Sequence, residues 1–345
     1  MAVTASLAPN AGQPRTPRTV VLTTGAPGVT IAWRLPMAAR QVLLEERPVE
    51  RHHGRQLMIY WLHRLGAPLA KIVPVSISYL IASIIAPIAF TILREKRETT
   101  VQNMRCVLGD DASLRRVRIY ALRAFINYAK YLVDMLRLEG LSLPDLEKII
   151  VVNGWENFTG AMDEGKGLIF VGGHIGNSDL AAALLASRGF PVHVITEPLQ
   201  PPRWDALVQA ARQAVGMRVI PMSASAIRFL RVLREKEILA LLIDRPVEDQ
   251  GVNVEFFGKT VRVPQGAAAL ALRADANILG AYILRSGNRY IANISPAISA
   301  PTTGDAKHDL EELTQATFDW LQGVIRQHPD QWFMFRPMWR TPSEP

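Results

Sequence analysis

His174 and Asp179 stand five positions apart in a glycine-rich stretch, Gly172-Gly173-His174-Ile175-Gly176-Asn177-Ser178-Asp179. An imidazole that an acid holds in one tautomer can take a proton from a hydroxyl as that hydroxyl attacks a carbonyl. Such a pair is two members of a hydrolase triad without the nucleophile. The chain has no Gly-x-Ser-x-Gly elbow, and its one cysteine, Cys106, lies in a helical, Arg-rich stretch away from the site. The attacking oxygen then belongs to a substrate, and the chemistry is direct acyl transfer to an alcohol. Ser178 is the alternative nucleophile, although a first-turn serine beside a capping asparagine fits a helix start better. No metal site is expected, because neither His-Glu-x-x-His nor clustered histidines occur. A structural loop histidine is the plain alternative for His174.

The elements that must position this pair are legible around it. Leu168–Val171 is an apolar run of strand length, and Asn177 is placed to cap a helix holding Ser178 and Asp179 in its first turn. Gly189 and Pro191 end that helix. Within a single helix, five positions would set histidine and acid about 140° apart. A loop histidine can instead fold back so that an Asp179 oxygen accepts its Nδ1–H, leaving Nε2 as the base. Glycines let backbone or substrate approach closely, and the carboxyl ends of strands are where open α/β sheets bind ligands.

Further strands are expected near Val192–Thr196, Arg218–Pro221, Ile238–Ile243, Leu279–Leu284 and Arg289–Ile294. Helical patterns at Asp179–Ser187, Trp204–Val215, Ser225–Glu235, Gln265–Arg273 and Asp309–Gln327 lie between them. This alternation predicts an α/β fold, a mixed, mainly parallel sheet flanked by helices. At the end of one strand stand Asp244 and Arg245. Loop N–H groups around Gly172 and Gly173, or Arg245, could stabilise an oxyanion, and a structural ion pair between Asp244 and Arg245 is an equal alternative. Trp332, Phe333 and Phe335 are expected to pack the core near the carboxyl end, with an acyl-groove role as the alternative.

The amino-terminal third differs in kind. Residues 1–50 read as a disordered tail, with no continuous apolar core of a secretory signal in Met1–Val29. Residues 51–143 read as a helical, membrane-associated region and residues 144–345 as the catalytic domain. Ile72–Leu93 carries no charge over 22 positions, long enough to cross a bilayer, yet Pro74 and Pro87 interrupt it. Nine Lys/Arg precede it in residues 1–71 and ten follow in residues 94–137, so the flanks give no bias towards opposite faces. A span, a re-entrant or in-plane segment, and a buried core helix all stay open. The net charge of +8 points to an anionic partner, a phospholipid surface, nucleic acid or an acidic carrier, without choosing among them, and the 49% hydrophobic content and mean hydropathy of +0.10 exceed what an ordinary soluble enzyme needs. Arg115, Arg116, Arg118 and Arg123 lie on a helical pattern beside an apolar segment, which argues against nucleic acid.

Taken in order, the blocks resemble the late acyltransferases of lipid A biosynthesis and the related actinobacterial phosphatidylinositol mannoside acyltransferases. The block from Gly172 to Asp179 looks like their His-x4-Asp/Glu motif. Leu242-Ile243-Asp244-Arg245 with Gly251 to Gly258 is similar to a second block, and Val263-Pro264-Gln265-Gly266 to Arg273 is similar to a third. His328-Pro329-Asp330-Gln331-Trp332-Phe333-Met334-Phe335 resembles the closing signature, and Arg97 to Asn103 also looks like a family element. The likeness covers roughly residues 55 to 340. Aspartate at 179, where the lipid A enzymes mostly carry glutamate, leans towards the mannoside-acylating or a general lysophospholipid branch.

The resemblance implies an acyltransferase fold on the cytoplasmic face of the bacterial plasma membrane. It implies an acyl thioester co-substrate, acyl-CoA or acyl carrier protein, no other cofactor, and a glycolipid or lysophospholipid hydroxyl as acceptor. His174 is then the base and Asp179 its orienter. Glu255 joins them as a further catalytic residue, and Arg212 with Gly172, Gly173, Asn177, Asp244 and Arg245 as substrate-binding residues. The bare residues alone also allow a thioesterase using water, or a lipid-binding protein without turnover. For Glu255 they allow the outward position of an alternating strand.

Overall fold

The computed structural model describes residues 53–247, 251–300 and 303–339. The tail expected over residues 1–50 lies outside them. Gln56–Pro345 forms one compact unit. Its centre is a seven-stranded sheet in the order β1-β9-β8-β2-β5-β3-β4. The strands are β1 Ile150–Asn153, β2 Leu168–Gly172, β3 Val192–Thr196, β4 Arg218–Pro221, β5 Ile238–Leu242, β8 Asn277–Ser286 and β9 Arg289–Ala297. From β8 to β4 every pairing is parallel, while β9 runs antiparallel to β8 and parallel to β1. A separate antiparallel hairpin joins β6 Val252–Phe256 to β7 Lys259–Val263.

Burial explains the pattern. All five residues of β2 are buried, as a central parallel strand covered on both faces must be, so the strand reads as an unbroken apolar run. The covering helices are α5 Leu143–Ile149, α6 Trp155–Asp163, α7 Ser178–Ser187, α8 Pro202–Ala214, α9 Ala226–Arg234, α10 Gly266–Ala274 and α11 Ala306–Gln327. The expected mixed, mainly parallel α/β architecture is therefore the observed one. Strand β1, with the short helices on either side of it, escapes the sequence reading because each run is too short to show a period.

Ahead of the sheet come α1 His53–Ile72, α2 Val75–Ile92, α3 Arg94–Leu108 and α4 Leu114–Arg137. Helix α3 ends at Gly109, whose φ of +84° a Cβ would disfavour, and α4 starts where the Ser113 hydroxyl accepts the Arg116 N–H. Helix α2 is the one among the described residues long and apolar enough to cross a bilayer, and most of it is unburied. Ser78, Tyr79, Ala82 and Ala86 form its buried face, and its principal packing partner is α4. Ile77, Leu80, Ile81, Ile84, Ile85 and Ile88 are exposed. Arg97 closes its carboxyl end by donating to the carbonyls of Thr91 at 2.8 Å and Phe90 at 3.3 Å.

Candidate active site

The site lies at the carboxyl ends of β2 and β5. Their parallel register pairs Gly172 with Leu242. Two residues beyond each, the chains carry His174 and Asp244 side by side. The Nδ1 of His174 lies 2.6 Å from Asp244 Oδ1, and its backbone N–H donates to Oδ2 at 2.8 Å. The indole N–H of the fully buried Trp332 donates to the same Oδ2 at 2.9 Å. Asp244 is wholly buried, which would push its carboxyl up. The imidazole and the three donors outweigh burial and hold it below the ordinary value. An ionised carboxylate only accepts, so the proton sits on His174 Nδ1 and the lone pair on Nε2. His174 lines a cavity of about 630 Å³ with mostly apolar walls, among them Leu132, Trp204, Phe229 and Leu270.

Asp179 does not take the orienting role expected of it. Its Oδ1 accepts from Arg212 Nε at 2.7 Å, and its Oδ2 from the Tyr131 hydroxyl at 2.8 Å and from Arg212 Nη2 at 3.4 Å. Asn177 caps α7 as expected, its Oδ1 accepting the Leu180 N–H at 3.2 Å, and this directs Asp179 towards α8. Burial raises the Asp179 carboxyl, but the charge and hydrogen bonds of Arg212 and the Tyr131 hydroxyl hold it below the ordinary value. Charge influence reaches it from His174 without a hydrogen bond. Asp179 thus fixes Arg212 and Tyr131, which themselves line the cavity.

The structural ion pair expected between Asp244 and Arg245 is not formed, since Asp244 is taken by His174 and Trp332. Arg245 ion-pairs with Glu197, which Arg336 approaches at 3.5 Å. Burial and Arg336 lower the Arg245 guanidinium to about 10, and its side chain lines the cavity beside His174. The amides of the turn are largely committed. His174 N–H goes to Asp244, Ile175 N–H to Gly173 O, Gly176 N–H to Gln331 O and Asn177 N–H to Ile283 O. Glu255 is on the outer face of the hairpin, exposed, with its backbone groups paired to the Gln315 side chain, and it does not line the cavity that holds His174. The alternation Val252-x-Val254-x-Phe256 turns it outward, so the structure leaves it apart from His174.

Two glycines are required by close approach. A Cβ at Gly173 would stand 3.0 Å from Leu321 Cδ1 and 3.1 Å from Asp244 Oδ2. Gly176 has φ +63°, and a Cβ there would overlap the carbonyl oxygen of Ile283. The turn is also stitched to the carboxyl-terminal segment, with Phe333 N–H donating to His174 O at 2.7 Å. Phe333 and Phe335 line the cavity rather than the core, while Trp332 is core and clamp together. Tyr131 and Trp332 are the site residues the sequence reading missed. Asp244 and His174 each lie two residues beyond their observed strands, an equality the predicted strand ends at Ile243 and Val171 do not show.

Fold and site together define an α/β enzyme with a histidine–carboxylate pair facing a largely apolar cavity. The chain belongs to the family of bacterial lipid A biosynthesis acyltransferases, whose model matches residues 46–341, and it is an acyltransferase. It is similar to the phosphatidylinositol mannoside acyltransferase of Mycobacterium tuberculosis (strain H37Rv), 28% identical over 219 residues, covering 62% of this chain and 68% of the relative. The protein of the same name from Mycolicibacterium smegmatis is 26% identical over 217 residues, covering 62% of this chain and 70% of the relative.

Proposed function

We propose that the chain transfers a fatty acyl group from an acyl thioester to a hydroxyl of a glycolipid acceptor of the mannosylated phosphatidylinositol class, at the cytoplasmic face of the plasma membrane. The observation that carries this is His174, held by a buried carboxylate at Nδ1 and lining a large apolar cavity. His174 Nε2 takes the acceptor's hydroxyl proton as that oxygen attacks the thioester carbonyl. Asp244 holds the tautomer and stabilises the imidazolium that forms. The carbonyl oxygen gains negative charge, which Arg245, lining the same cavity, stabilises. Collapse expels the thiolate, which takes the proton from Nε2 and leaves as the free thiol. The acyl chain lies along the apolar wall. The donor is acyl-CoA or acyl carrier protein, and no further cofactor takes part.

Helix α2 lies in the plane of the membrane interface rather than across it. Its buried face is fixed to α4, which carries Arg115, Arg116, Arg118 and Arg123. A span would draw those charges towards hydrocarbon at about 2.5–3.5 kcal/mol each. Lying flat puts the isoleucine row into the acyl boundary and leaves the arginines for anionic head groups.

The test is transfer of labelled acyl groups from acyl-CoA and acyl carrier protein to a panel of mannosylated phosphatidylinositols and lysophospholipids. Acceptor-dependent product that His174→Ala abolishes is the expected result. Fatty acid release that no acceptor alters would show that water is the acceptor, and His174→Ala activity equal to the parent would overturn the mechanism.

A further inference from the structure

A second buried cluster joins the apolar helix to the catalytic turn. Asp134, on α4, is buried and takes donors from four elements. The Tyr79 hydroxyl of α2 donates to Oδ1 at 2.5 Å. On Oδ2 converge Arg285 at 2.6 Å, Asn177 Nδ2 at 3.2 Å and the Tyr290 hydroxyl. Arg285 lies between the two phenol rings, its Cζ 4.5 Å from the Tyr79 centroid and 4.9 Å from that of Tyr290.

Asn177 is the point where this cluster meets the site. One end of its amide accepts the Leu180 N–H in the first turn of α7, and the other donates to Asp134. Its backbone N–H is tied to Ile283 O at 3.2 Å. Asn177 is three residues from His174 in a turn whose position decides where Nε2 points. Apart from Tyr79, the buried face of α2 consists of Ser78, Ala82 and Ala86, small residues that suffice for packing. Burial and the Asp134 charge push the Tyr79 phenol up to about 12, so it stays a donor at working pH. The convergence of four donors on Asp134 adds geometric specification that small-residue packing lacks, although Arg285 Nε and Nη1 have no hydrogen-bond partner among the described residues.

We propose that Tyr79 is a positioning residue for acyl transfer, its hydroxyl fixing the His174 turn through Asp134 and Asn177. The apolar helix is then part of the catalytic scaffold as well as a membrane contact. This inference rests on the acyl-transfer reading.

The experiment is a double-mutant cycle on the full chain with Tyr79→Phe, Asn177→Ser and the pair, each assayed for kcat, donor KM and Tm. Serine keeps the helix cap while removing the donor to Asp134. Each single change is expected to lower kcat about tenfold at unchanged donor KM, and the double variant to be no slower than the worse single one. A double variant about a hundredfold down, the product of independent effects, overturns the relay. So does a loss confined to KM, or a Tyr79→Phe enzyme within about twofold of the parent. If Tyr79→Phe does not fold, Asn177→Ser decides alone: unchanged kcat overturns the proposal, and a tenfold fall at unchanged Tm supports it. A parent that transfers no acyl group overturns the acyl-transfer reading, and this inference with it. An active parent with an additive cycle overturns this inference only.

Discussion

Replacing Asp244 by asparagine separates the carboxylate that touches His174 from the one that the motif spacing suggests. Asparagine has nearly the same shape, but only one of its two terminal atoms accepts. Two donors, the His174 amide and the Trp332 indole, already aim at the Oδ2 position at 2.8 and 2.9 Å, so the amide oxygen must stay there. The NH2 then faces His174 Nδ1 and drives the imidazole proton to Nε2, the atom that has to be free. The imidazolium formed in the transition state also loses its counter-charge. Nδ1 and Oδ1 are 2.6 Å apart, and with charge centres about 4 Å apart at an effective dielectric of 20 the pair is worth about 4 kcal/mol. That corresponds to a fall of about a thousandfold in kcat. The assay is release of thiol from acyl-CoA in the presence of acceptor, run beside Asp179→Asn. Asp244→Asn is expected to lose about a thousandfold with donor KM little changed. The refuting result is Asp244→Asn within about threefold of the parent while Asp179→Asn shows the thousandfold loss.

Removing Arg212 as alanine strands the buried Asp179 with only the Tyr131 hydroxyl and is expected to cost about 3–5 kcal/mol by urea unfolding, more than Arg212→Lys costs. Asp179 and Asp244 are both held below the ordinary carboxylate range, so their stabilisation is present above about pH 4 and lost as pH falls through their folded values. Melts from pH 6 to pH 2 are expected to show this fall and to flatten in Asp179→Asn. Glu255→Ala is expected to keep kcat within about twofold, because the side chain points outward from the hairpin; a loss beyond tenfold in the thiol assay would contradict that placement. Glutamates at Ile81, Ile84 and Ile88 are expected to weaken binding to anionic vesicles in a flotation assay while leaving Tm within a few degrees, since all three are exposed.

Local signals carried the fold well. The apolar run before Gly172, the asparagine cap and the glycine exit place β2 and α7 from neighbouring residues alone, and alternation of short apolar runs with helical periods gives the layered α/β sheet. What stayed hidden depends on non-local register. His174 and Asp244 are 70 positions apart, and only the pairing of β2 with β5 puts them together. Sequence proximity instead favoured Asp179, whose two oxygens are already taken by groups from α8 and α4. Trp332 looked like packing because an indole is mostly apolar surface, and its one donor matters only once Asp244 is buried against it.

The carboxyl-terminal segment supplies the indole to Asp244, the amide to the His174 carbonyl and, at Met334, Arg336 and Met338, the partners of the Asn103 side chain. These contacts come from residues synthesised after every strand of the sheet. While the ribosome still holds residues beyond α11, the histidine and its carboxylate can be translated and even paired, but the turn that carries them is open on one side. A proteolytic cut after Gln327 would therefore remove the Trp332 indole from Asp244 and the Phe333 amide from the His174 carbonyl in one event, and leave the turn in that open state.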